Sequence, residues 1–127
     1  MQSDFNGDGF ADLAVGVPQE GINDARGNIM SGAVNVLYGS AGGLQADSPD
    51  DQVWHQNSPG VQDVAEGLEL FGSALAAGDY NADGFGDLAV GVPWESFPGG
   101  VDLAGAVNVL YGSAGGLQAD SPDDQFW

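Results

Sequence analysis

The segment "DFNGDGFADLAVGVP", Asp4–Pro18, returns as "DYNADGFGDLAVGVP", Asp79–Pro93, an offset of 75 residues. Further on, "GAVNVLYGSAGGLQADSPDDQ" runs from Gly32 to Gln52 and recurs unchanged from Gly105 to Gln125, an offset of 73. The two missing residues fall between these blocks, in Gln19–Ser31 against Trp94–Ala104. Loops absorb insertions and strands do not, so the constant blocks mark the structural elements. Self-similarity of this length means an array of supersecondary units, each needing a neighbour to cover its apolar face.

Each unit reads as short strands. In Ala11–Val17, Leu13, Val15 and Val17 alternate with smaller residues, the period of a half-buried strand. Ala33–Tyr38 sets Val34, Val36 and Tyr38 on one face, and Ala33, Asn35 and Leu37 on the other. "GSAGGLQ" turns the chain into an outer strand, Gln52–Gln56, whose counterpart ends at Trp127. Leu70–Tyr80, rich in Gly and Ala, predicts an innermost strand where backbones crowd together. No helical periodicity competes, and 22 glycines argue against long helices. The prediction is an all-β chain of antiparallel four-stranded sheets, each a propeller blade. Only Met1–Ser3 precede the first acidic loop, so the first blade is expected to lack its innermost strand. The expected division is blade 1 over 1–56, a linker over 57–69 and blade 2 over 70–127. Two blades cannot close a ring of roughly four to eight.

Nineteen acids face one arginine, Arg26, with no lysine, for a net charge of −18. Binding to nucleic acid or an anionic membrane surface needs a basic face and is excluded. No run reaches the ~20 apolar residues of a membrane helix, so no membrane insertion is expected. With no cysteine, neither disulfides nor thiolate metal sites are available. Fifteen of the acids are Asp, which suits turns and short-range ligation better than a solvated helix face. A salt-adapted surface would explain the acidity but not its ordered spacing.

That spacing is regular. Asp4, Asn6 and Asp8 stand at positions one, three and five of the loop 4–12, with Gly9 at six and Asp12 at nine. Asp79, Asn81, Asp83, Gly84 and Asp87 repeat the pattern in 79–87. Alternate side chains on a tight loop converge, and glycine permits the sharp turn. Only hard oxygens converge, which suits Ca²⁺ rather than zinc or copper. Phe10 and Phe85, at position seven, would offer backbone carbonyls while their rings pack inward. An EF-hand needs glutamate at position twelve, where Val15 and Val90 stand here, and flanking helices. A metal-free Asx-rich hairpin is the plain alternative; two copies with full spacing argue against it.

Taken together, Phe71-Gly72, the acidic loops, and Gly16-Val17-Pro18 with Gly91-Val92-Pro93 resemble the FG-GAP repeats of integrin α-subunit β-propellers and their bacterial relatives. The resemblance implies an integrin-like propeller in which each acidic loop joins the two innermost strands. It also implies two Ca²⁺ sites, at Asp4, Asn6, Asp8, Phe10 (carbonyl) and Asp12, and at Asp79, Asn81, Asp83, Phe85 (carbonyl) and Asp87. The expected function is a non-enzymatic, calcium-binding adhesion-type module, secreted or on the cell surface, presenting loops to a protein or glycan ligand. Its expected partners are other blades, above all copies of itself. Three or four such chains closing a homo-oligomeric ring would supply six or eight blades. Two alternatives belong to other classes: a non-catalytic segment of a larger secreted enzyme, since FG-GAP repeats accompany a glycolipid-cleaving phospholipase, and a carbohydrate-binding propeller.

Other features carry less. Ser-Pro-Asp-Asp at 48–51 and 121–124 fits a type I turn. His55, the single histidine, reads as a strand residue rather than a general base, and no Gly-x-Ser-x-Gly elbow is present. Trp54 and Trp127 are expected to pack the outer blade edge, whereas Trp94 sits in the variable loop, open to a ligand.

Overall fold

A computed structural model describes residues 2–47, 51–97, 103–120 and 123–127. The described residues are all-β, with ten strands among them: β1 Gln2–Ser3, β2 Asp12–Val17, β3 Gly21–Asp24, β4 Gly27–Met30, β5 Ala33–Leu37, β6 Gln52–Trp54, β7 Ala74–Gly78, β8 Asp87–Val92, β9 Ala106–Leu110 and β10 Gln125–Phe126. They form two antiparallel four-stranded sheets, ordered β1-β2-β5-β6 and β7-β8-β9-β10, plus the hairpin β3-β4. Each repeat is therefore one meandering blade. The two Ser-Pro turns rest on residues 48–50 and 121–122, which lie outside the described residues.

Three sequence expectations need correction. The first blade does not lack its innermost strand; it keeps two residues of it, with Gln2 opposite Leu13 and Ser3 opposite Asp12. The full-length β7 has the same register, Ala77 opposite Leu88 and Gly78 opposite Asp87. Secondly, the variable segment after Pro18 is not plain loop. It folds into β3-β4, closed at Asp24 and Gly27, where Gly27 supplies the positive φ of 110° that the tight turn needs. Thirdly, the outer strand ends at Trp54 rather than Gln56, because His55 begins a turn held by Ser58 N–H to His55 O at 2.8 Å.

The core lies between the blades. β7 packs beside β1 and β2, bringing the inner strands of the two sheets together. Ala14, Val34, Val36 and Tyr38 of the first blade join Leu88, Val90, Val92 and Leu110 of the second in one buried cluster, with Phe5 and Phe71. The identical "DLAVGV" strands therefore bury opposite faces: Ala14 in the first, Leu88, Val90 and Val92 in the second. Propensity is the same in both, so the neighbour decides which face is covered.

Phe71-Gly72 locks the blades at their inner edge. Phe71 N–H donates to Ser31 O at 2.8 Å, and a Cβ on Gly16 would lie 2.0 Å from Gly72 O. Only glycine fits where the two backbones approach so closely. The connection 57–69 is packed down as well. Val61 and Ala65 are buried, and Gln62 N–H donates to the Asp124 carboxylate at 3.0 Å. Arg26, paired with Asp24, donates to Ala65 O at 2.6 Å and fixes this segment on the β3-β4 hairpin.

Candidate metal centre

The loops joining β1 to β2 and β7 to β8 are near-copies at atomic level. In the first, Asp4 accepts from Asp8 N–H at 3.1 Å and from Gly9 N–H at 2.9 Å. Asn6 accepts from Asp8 N–H at 3.1 Å and donates to the Asp8 carboxylate at 3.0 Å. Asp8 in turn accepts from Phe10 N–H at 2.9 Å. In the second, Asp79 takes Asp83 N–H at 3.1 Å and Gly84 N–H at 3.0 Å. Asn81 and Asp83 repeat the remaining bonds at 3.1, 3.0 and 2.9 Å. Gly9 and Gly84, with φ of 89° and 93°, make the turn at position six.

Position nine is held differently. Asp12 and Asp87 begin β2 and β8 and are buried. Asp12 accepts from Phe5 N–H at 2.7 Å and Gly39 N–H at 2.8 Å. Asp87 accepts from Tyr80 N–H at 2.7 Å and Gly112 N–H at 2.9 Å. Each thereby ties its acidic loop to the turn after the third strand. Burial raises both carboxyls above the ordinary Asp value, against the N–H bonds that lower them; Asp8 and Asp4 raise Asp12 further, and Asp83 raises Asp87. The carboxyl at position nine of each loop thus feels the charge of an acid earlier in the same loop.

The donor set fits a hard cation. It consists of carboxylate, amide and carbonyl oxygens, and an oxygen accepting one N–H keeps a second lone pair. Among the described residues, no three acid, imidazole or thiol side chains gather closely enough to enclose an ion as they stand. An ion would have to draw the loop acids inward. The aromatic rings at position seven depart from expectation. Phe85 lies against Gly7, where a Cβ would sit 2.5 Å from its ring, but the Phe10 ring is exposed. Phe85 stands at the seam between blades, and Phe10 has no blade beside it.

The tryptophans divide. Trp54 packs against the core, as expected, whereas Trp127 is exposed rather than packed. Trp94 is exposed as expected of a loop residue. His55 is half-buried with Nδ1 unpaired, and burial lowers its pKa.

Sequence reasoning missed a buried polar cluster behind the linker. Gln56, Glu69 and Glu95 are all nearly inaccessible, and Gln56 Nε2 donates to Glu95 at 2.6 Å. Burial pushes the Glu95 carboxyl up to about 8 and raises Glu69 as well. The first repeat offered no warning, since Glu20, the counterpart of Glu95, is exposed.

Comparison with known proteins bears on these loops. The family model described as "FG-GAP repeat" matches residues 2–34 and 71–110. Human phosphatidylinositol-glycan-specific phospholipase D is 40% identical over 122 residues, 95% of this chain and 14% of that protein. Mouse integrin alpha-E is 39% identical over 89 residues, covering 69% of this chain and 7% of the integrin. Mouse integrin alpha-3 is 35% identical over 116 residues, covering 91% and 9%. The chain thus spans a small fraction of the length of each curated relative it matches.

Proposed function

This chain belongs to the FG-GAP repeat family, and from that premise we propose that it is a calcium-binding propeller module of structural, adhesion-type function. Its two acidic loops would each hold one Ca²⁺, and its blades would pack beside further blades and display their outer loops to a protein or glycan ligand. The observation that carries the reading is the duplicated oxygen array. Ten residues at matched positions, Asp4, Asn6, Asp8, Phe10 and Asp12 with Asp79, Asn81, Asp83, Phe85 and Asp87, recur with the same hydrogen bonds in two loops. Asx turns alone need no more than one carboxylate each. Three carboxylates per loop, with Asp12 feeling Asp8 and Asp4 and with Asp87 feeling Asp83, are what a bound cation would offset.

Asp4, Asp8 and Asp12 would supply the charged ligands of the first ion, Asn6 its amide oxygen and Phe10 its backbone carbonyl. Asp79, Asp83, Asp87, Asn81 and Phe85 would do the same for the second. The ion contributes charge neutralisation and rigidity; the chain keeps Asp12 and Asp87 aimed through their N–H bonds to Gly39 and Gly112. Two such ions would take the formal charge from −18 to −14. Extracellular modules bind calcium at roughly 10⁻⁴–10⁻³ M, so a place outside the cell or on its surface accords with this chemistry.

A second reading is supported by the likeness to the phospholipase D over 95% of this chain. In it the same module is a non-catalytic segment of a larger secreted enzyme. Thermal unfolding with millimolar calcium and then with excess chelator tests the metal reading: chelation should lower Tm, and coincident curves refute it.

A further inference from the structure

Within the chain, the inner face of blade 1 covers the inner face of blade 2. Because the repeats are nearly identical, each face that is buried inside has a counterpart left open at the opposite end. Leu117 of blade 2 is 2% exposed, clasped by blade 1: its N–H donates to Tyr38 Oη at 3.0 Å and its carbonyl accepts from Gln52 Nε2 at 3.0 Å. Its counterpart Leu44, on blade 1, is 48% exposed. The counterparts of the clasp are Tyr111 and Gln125, of which Gln125 is exposed and Tyr111 is buried. A Cβ on Gly116 would lie 2.1 Å from Tyr38 Oη, while one on the equivalent Gly43 would meet nothing within 4 Å.

Apart from Tyr38 and Tyr111, both buried, the contrast recurs on both faces. Val90 is buried and Val15 is exposed; Val34 is buried and Val107 is exposed. Phe5 is buried with its carbonyl accepting from Ser113 N–H at 3.2 Å, and its counterpart Tyr80 is exposed. Trp54 packs on the core, whereas its counterpart Trp127 is 71% exposed. One end of the chain is therefore shaped like the surface that the other end needs.

We propose that the open face of blade 2 docks the open face of blade 1 of a second copy, head to tail, reproducing the contact between the blades. The proposal rests on reading the repeats as propeller blades, and not on calcium. In this contact Tyr111 and Gln125 of one copy clasp Leu44 of the next, Tyr80 meets Ser40, and Val107 is covered by the face bearing Val15 and Leu37. The contact is heterologous, so copies add in one direction until the ring closes.

The copy differs from the original at two places. Within these 127 residues Phe71-Gly72 has no counterpart in the first repeat. A depression of about 400 Å³ at Gly91, Pro93, Gly105 and Ala106 is left unfilled. These residues are the counterparts of Gly16, Pro18, Gly32 and Ala33, which receive Phe71-Gly72 inside the chain. In addition, Ala82 replaces Gly7, so the Phe10 ring of the incoming copy must turn aside from the place that Phe85 occupies.

Sedimentation velocity on the full chain in calcium, from micromolar to submillimolar concentration, tests the proposal. Leu44→Asp disables one face and Val107→Asp the other, both at exposed positions, and unchanged circular dichroism checks that each variant folds. The wild type should assemble with concentration, each variant alone should remain monomeric, and an equimolar mixture should give a 1:1 heterodimer through the intact pair of faces. A wild type that stays monomeric throughout overturns the proposal, as does either variant assembling with itself. Calcium binding measured on the same samples separates such a failure from a failure of the metal reading.

Discussion

Val15 and Val90 occupy the same place in the same "DLAVGV" strand, so replacing each by alanine isolates what burial contributes. Val90 is fully buried between the blades and Val15 is 40% exposed. Removing two buried carbon groups at ~0.8 kcal/mol each loses about 1.6 kcal/mol of transfer free energy, and the unfilled cavity brings Val90→Ala to about 2 kcal/mol or slightly more. Strand propensity adds up to ~1 kcal/mol, but it acts on both sites and cancels in the difference. Val15 keeps roughly three-fifths of its side chain covered and loses about 1 kcal/mol on truncation, so Val15→Ala should cost about 1 kcal/mol less than Val90→Ala. Urea unfolding in calcium at low micromolar protein, with m unchanged between variants, measures both values. Equal costs would refute the claim that the core lies between the blades and that the outer face of blade 1 is open.

Two further outcomes follow from the buried groups. Burial raises Glu95 from 4.5 to about 8, so the folded chain holds a proton that the unfolded chain releases. Its stabilisation is complete below the unfolded value and is lost as pH rises towards 8, by up to ~1.4 kcal/mol per pH unit; Glu95→Gln should flatten this slope in unfolding curves at several pH values. Gly116→Ala should destabilise the chain more than Gly43→Ala by denaturant midpoint. Both have positive φ, 99° and 105°, at about 1 kcal/mol of strain each, but only at Gly116 would the new methyl meet Tyr38.

Much of the fold was legible in the repeat. The constant blocks located β2, β5, β8 and β9, and the alternation in β5 grouped Val34, Val36 and Tyr38 on one face, which the structure buries. What the repeat could not show was asymmetry. Leu13, Val15 and Val17 have the same alternation as Leu88, Val90 and Val92, yet only the second set is buried, because only it has a blade against it. The same gap explains why Phe10 and Trp127 are exposed although the sequence placed them in packed positions. The β3-β4 hairpin escaped notice because "GINDARGNIM" carries its turn in Asp24–Gly27, amid polar residues that hide the period of two. The matching hydrogen bonds of the two acidic loops follow the spacing, since each Asp, Asn and Gly sits at a fixed number from the first aspartate. The cluster of Gln56, Glu69 and Glu95 was not legible, for it joins three segments that the sequence keeps apart.

Calcium stoichiometry is the most direct test of the central claim. Isothermal titration of the chelator-stripped chain should give two Ca²⁺ per chain, and Asp83→Ala, which removes a carboxylate from the second loop alone, should reduce this to one. A titration without saturable heat, confirmed by equilibrium dialysis showing no bound calcium at millimolar concentration, would contradict the account.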